Sequence, residues 1–280
     1  MKSLRTTLLL AAFILIANFS YAQTTSKPKP NTPNTRPAQI EQSQAPAPES
    51  KAPAKFIESE MVLVEGGTFM MGCSSNQQGD CMEWEKPAHR VTVNSFSIGK
   101  YEVTQAQWKA IMGNSPSHFK GDKLPVENVS WEEVQQFISK LNAKTGKQYR
   151  LPTEAEWEFA ARGGNMSKGY KYSGSNNVET VAWHAFNSED KTHAVGTKSP
   201  NELGIYDMSG NVYEWCNDWY SDYSNGAQTN PQGPASGSFR VGRGGSWSDF
   251  AARAGVSNRI FGMPNDRDFG IGFRLACNAK

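Results

Sequence analysis

Helical periodicity stops at Gly163-Gly164, and nothing regular replaces it over the rest of the chain. Gly, Asn, Ser and Pro recur there every few residues, among aromatics such as Tyr170, Trp183, Tyr213, Trp215 and Trp219. A segment of this kind builds neither a helix bundle nor an array, because it has no repeat of fixed period. It reads as a loop-rich half with short strands. Ahead of it, residues 61–69 (MVLVEGGTF) and 90–98 (RVTVNSFSI) alternate apolar with polar or small residues, as half-buried strands do. Three helix starts are explicit: Thr104-Gln-Ala-Gln107, Ser130-Trp-Glu-Glu133 and Thr153-Glu-Ala-Glu156. In each, the cap hydroxyl and the third side chain satisfy backbone donors that would otherwise be orphaned. Gly113, Gly146 and Gly163-Gly164 end the three helices. The pattern gives an α+β fold in a single domain.

The chain opens Met-Lys-Ser-Leu-Arg, runs apolar over residues 8–17, and reaches small residues at Ser20 and Ala22. That order describes a signal peptide over residues 1–22, with a mature start at Gln23. A retained anchor is the alternative, although so short an apolar run falls well below the roughly 20 residues needed to span a bilayer. The mature chain then has no membrane span. Residues 23–55 are rich in Pro, Ser, Thr, Ala, Gln and Lys, and read as a disordered linker or a cleaved pro-segment. Residues 56–280 suffice for one domain with a sizeable core. These features place the protein outside the cytoplasm, as a periplasmic, cell-surface or secreted protein. A formal net charge of +2 with mixed signs argues against nucleic acid as the partner and leaves a protein or cell-surface ligand. In an exported chain, four cysteines read as disulfide formers. Cys73 and Cys81 bracket a short polar loop suited to a local bridge. Cys216 and Cys277 are left as a second pair or as buried thiols.

Six blocks occur in one order: GGTFMMG, GKYEVT, PVENVSW, YRLPTEAEWEFAARG, NELGIYDMSGNVYEW and RGGSW…GFR. Together they resemble the formylglycine-generating-enzyme family, the sulfatase-modifying factors. The resemblance implies a loop-rich variant of the C-type lectin fold. Family enzymes hold copper between two thiolates and oxidise a substrate cysteine. The positions of those thiols are here Asp249 and Ala254, and no cysteine lies between residues 240 and 276. Soft thiolates select Cu(I), whereas Asp and Ala do not, so copper chemistry is not expected.

The family's calcium site implies a role for the Asp207 and Glu214 side chains and for the carbonyls of Gly210 and Val212. Oxygen-only ligation with two carboxylates suits that cation. A tight turn with capping carboxylates is the alternative. His89, His118, His184 and His193 show no metal-binding spacing, so iron is not expected either. Ser248, Asp249, Phe250, Ile260, Phe261, Asp268 and Phe269 form a varied stretch between fixed words, suited to a binding surface or to ordinary core and loop. This stretch also resembles the variable proteins of diversity-generating retroelements. Glu154, Glu156 and Glu158 read as helix-favouring and capping residues. The reading is therefore a non-catalytic binding or scaffold module, a pseudoenzyme. The alternatives are an oxidase, iron-dependent or of unrecognised site, and a lectin-fold variable ligand-binding protein.

Overall fold

The computed structural model describes residues 60–73 and 81–279. The expected signal peptide over residues 1–22 and the linker over 23–55 lie outside them. Strands β1 (Met61–Val64), β2 (Gly67–Met71), β3 (His89–Val93) and β4 (Phe96–Gly99) form an antiparallel ribbon that changes sheet halfway. β1 pairs with β4 in the register Met61↔Gly99, and β2 pairs with β3 in the register Gly67↔Val93. The sequence presents each arm as one strand, and the structure breaks both. The break falls at Gly66, whose N–H donates to Ser95 Oγ at 3.0 Å. A Cβ on Gly66 would lie 2.6 Å from the Val93 carbonyl oxygen, so glycine permits the two arms to meet this closely at the bend.

Three helices follow, α1 (Gln105–Met112), α2 (Trp131–Thr145) and α3 (Glu154–Ala161). Each is closed at its N-terminus by the expected capping box, with Thr104, Ser130 and Thr153 as caps. Gly113 and Gly146 end α1 and α2 in the left-handed conformation. A single further turn, α4 (Val178–Val181), is the last α-helix among the described residues.

The second half supplies β5 (Tyr213–Trp219), β6 (Gln228–Thr229), β7 (Arg240–Arg243), β8 (Arg259–Gly262), β9 (Ile271–Gly272) and β10 (Ala276–Asn278). The strands form three small sheets, ordered β1-β4-β10, β2-β3-β6 and β8-β7-β5-β9. Strand β5 divides the interior. Tyr213 and Trp215 point into a core with Trp108, Phe137 and Phe273. Cys216 points to the other side, among Val91, Phe96, Trp157 and Phe159. This alternation follows from the period-2 geometry of a strand. It places one face of β5 under a surface pocket and the other under a buried set of charges.

Candidate functional site

The pocket forms where β5, β8 and the loops after β7 and β8 meet. It has a volume of about 320 Å³. Ser248, Asp249, Ile260, Phe261 and Asp268 line it, over a floor of Tyr213, Trp215 and Ile271. Phe250 and Phe269, the other two binding-surface residues expected from sequence, stand exposed at 67% and 46%. Phe250 packs on exposed Phe186, Phe261 on Phe239 and Tyr220, and Phe269 on His118. Most exposed large apolar side chains among the described residues thus gather in this region. Scattered exposed apolar residues are ordinary, but a contiguous group of them marks an interaction surface.

The polar lining is acidic. Asp266 accepts from the Met263 N–H at 2.7 Å and Asp268 from the Gly270 N–H at 2.7 Å. Asp249 accepts from the Ser246 hydroxyl and from Tyr213. Burial first, and the Asp249 charge second, push the Tyr213 phenol above its ordinary range, so it stays a donor. Arg267 is the basic residue of the lining, and its guanidinium turns onto Glu133 at 2.8 and 2.9 Å.

These residues do not fit a copper site. Asp249 supplies hard oxygen, and Ala254 is buried in a small cluster with Tyr172, Val181 and Ala182, away from the pocket lining. Cys216 lies on the opposite face of β5. Burial, with Glu154 and Asp218 adding to it, pushes its thiol well above the usual range. The four histidines are separate. His89 packs tilted against Tyr223, His118 stacks on Phe269 and His193 on Trp183, while His184 meets Glu179 at 2.9 Å. Among the described residues no group of three or more His, Cys, Asp and Glu side chains is arranged to hold a metal ion.

The turn expected to bind calcium is a tight one. Asp207, Gly210 and Asn211 all have positive φ. A Cβ on Gly210 would lie 2.2 Å from the Trp183 carbonyl oxygen. Glu214 does not sit as a cation ligand. Its Oε1 accepts from Arg274 Nη2 at 2.6 Å, and its Oε2 from Arg274 Nε and Trp157 Nε1, both at 2.6 Å. Asp207 accepts from the Gly196 N–H at 2.6 Å. Val212 donates its N–H to Glu102, whose other oxygen accepts from Asn211. Glu102, Asp207 and Glu214 thus share one buried guanidinium. Burial, with Asp207 and Glu214 beside it, pushes Glu102 well above the usual carboxylate range, and burial raises Asp207 to about 6. A cation at Glu214 would have to displace Arg274, so the set as arranged does not fit calcium.

A second charged group surrounds α3. Arg259 holds Glu154 at 2.6 and 2.8 Å, and Arg243 bonds Glu158, which also meets Arg162 at 2.7 Å. Of the three glutamates read as helix-capping, Glu156 alone caps, while also taking Arg150 at 2.6 and 2.7 Å. Neither buried cluster is evident from local sequence pattern. The available signal is a charge set inside an apolar run, as Glu102 lies between Tyr101 and Val103 and Arg274 between Phe273 and Leu275.

Cys73 and Cys81 are joined by a disulfide. Cys216 and Cys277 lie on strands of different sheets.

The model of the sulfatase-modifying factor enzyme 1-like domain matches residues 46–279. The chaperone protein LppX of Paenibacillus barcinonensis is 35% identical over 251 residues, covering 72% of this chain and 83% of its own. The formylglycine-generating enzyme of Streptomyces coelicolor is 33% identical over 195 residues, covering 63% and 60%. Among solved structures, Treponema denticola variable protein 1 superposes with a TM-score of 0.72 at 35% identity, covering 78% of this chain and 95% of its own.

Proposed function

The chain belongs to the sulfatase-modifying factor enzyme 1-like family, and from that premise we propose that it is a non-catalytic binding module, taking its ligand in the pocket between β5 and β8. The observation that carries this reading is Asp249. It stands where the family's copper enzymes have a thiol, and its carboxylate is engaged by Ser246 and Tyr213. The second thiol position, Ala254, is buried and outside the pocket lining. What remains is an acidic recess with exposed aromatics at its edge, a surface suited to a basic side chain of a partner protein or cell-surface ligand. The likeness to a variable protein of the same fold supports a pocket whose exposed side chains set ligand choice.

The same proposal places the protein outside the cytoplasm, in the periplasm, at the cell surface or in the medium. The apolar run over residues 8–17 and the Cys73–Cys81 bridge support that location.

A peptide containing C-x-P-x-R, incubated with the protein, copper and oxygen, tests the central point. The peptide thiol is expected to persist, read by mass spectrometry. Formylglycine above a no-protein control would overturn the reading.

A further inference from the structure

A larger cavity lies away from this pocket. It has a volume of about 600 Å³ and is lined by residues of the β3–β4 turn, the start of α3 and the end of β10. A neighbouring cavity of about 340 Å³ is lined by the segments around β5 and β6. Gln232 borders both, so the two adjoin there, and we take them together as one cleft of two lobes. The geometry points to this cleft as a second binding site, for a neutral oligosaccharide.

Three features of the walls support that ligand class. The strong charges are cancelled locally. Arg150 is held by Glu156 through two hydrogen bonds, and Glu154 by Arg259 through two more. A phosphate or a strongly charged peptide would find little uncompensated charge, since beyond these pairs the carboxyls are those of exposed Asp222 and buried Asp218. The side chains between those pairs are mainly amides and hydroxyls, among them Asn94, Asn217, Asn230, Gln228, Gln232 and Asn278. An amide offers donor and acceptor in one plane, which suits adjacent hydroxyls of a sugar ring. Apolar lining is sparse, which disfavours a lipid chain.

The third feature is Asp218, 4% exposed and lining the smaller lobe. One oxygen accepts from the Glu154 N–H at 2.9 Å, and the side chain has no other hydrogen-bond partner among the described residues. A ligand hydroxyl entering the lobe would complete the hydrogen bonding of this carboxyl. Burial, with Glu154 beside it, pushes this carboxyl up to about 8, so at neutral pH it is uncharged and offers both a donor and an acceptor. Trp219, the next residue on β5, lines the same lobe and provides an intrinsic fluorescence reporter.

The test titrates the intact chain with maltohexaose, cellohexaose, mannohexaose and chitohexaose. It reads calorimetry and tryptophan fluorescence. Saturable binding of at least one hexaose is expected, weakened at least tenfold in Gln232→Ala with Asn217→Ala. The Asp218→Asn protein, whose side chain also donates and accepts, should bind within about threefold of the parent, an equivalence expected from its matching hydrogen-bond inventory. Phe261→Ala, in the other pocket, should leave binding unchanged. Circular dichroism and melting confirm that each variant is folded. The proposal is overturned if no hexaose binds the folded parent chain. It also fails if Phe261→Ala removes binding while the cleft variants do not. Displacement of a bound hexaose from the cleft by an unrelated extended peptide of higher affinity would likewise assign the cleft to peptide and overturn it.

Discussion

Arg274 grips Glu214 with two parallel hydrogen bonds, Nε to Oε2 and Nη2 to Oε1, each 2.6 Å long, in a place where both side chains are inaccessible to solvent. Its remaining donors reach the carbonyls of Gly99 and Tyr206, both at 2.9 Å. One guanidinium therefore ties β5 to the end of β4 and to the turn before Asp207. Removing it leaves the Glu214 carboxyl in the core without its cation, with Trp157 Nε1 as the remaining side-chain donor. Breaking a buried pair from one side costs about 3–5 kcal/mol. Arg274→Met is expected to lose stability of that order in urea unfolding. Arg274→Lys should recover only part, because an ammonium cannot reproduce the planar fork. Wild-type stability in Arg274→Met would show that the pair holds nothing together.

The same geometry sets the response to calcium. With Glu214 committed to Arg274 and Trp157, the melting temperature should be equal in chelator and in millimolar calcium. Binding to the folded state alone would stabilise it by about 2.7 kcal/mol at a hundredfold excess over Kd, a shift easily measured. A calcium-dependent rise that disappears in Glu214→Gln would restore the ligand role drawn from DMSGNVYE.

Asp218 gives a pH dependence of definite sign. Its carboxyl titrates at about 8 in the folded chain, against 3.8 ordinarily. Between those values the folded state holds a proton that the unfolded state has released. Stability therefore falls as pH rises through that window and levels off above it. Asp218→Asn keeps an acceptor for the Glu154 N–H without the charge. It should raise the melting temperature at pH 8 to 9, with a gain that shrinks toward pH 4. Parallel curves for the two proteins across that range would contradict the assignment.

The helices were legible because their information is local. Thr104, Ser130 and Thr153 each carry the whole capping device within four residues, and all three form. The loop-rich second half was legible as a class, and five of the seven varied side chains indeed line one pocket. What sequence pattern missed depends on long-range contacts. The bend at Gly66 is set by strand residues near Ser95, and the partner of Glu214 lies 60 residues further on. Alternation along a strand tells which residues are buried, but not which buried charge meets which. Hence the local motif around Glu214 suggests a ligand role, while nothing near Glu102 or Arg274 in the sequence reveals that they meet it.

The Cys73–Cys81 bridge closes a loop with a sequence separation of 8 and ties the end of β2 to the segment that leads into β3. Cross-linking a loop of this size restricts the unfolded chain by about 2–3 kcal/mol on the chain-entropy account. The bridge joins Cys73 and Cys81, whereas Arg274 pairs with Glu214, so the two sites share no residue and their effects should add, as independent sites do. Cys73→Ser with Cys81→Ser is expected to unfold at lower urea than the parent by that margin. Reducing the parent with dithiothreitol should reproduce the loss, while reducing the double variant should change nothing. Peptide mapping without reductant supplies the direct check. Finding Cys73 and Cys81 as separate thiols in protein recovered from an oxidising compartment would remove both the bridge and the stability assigned to it.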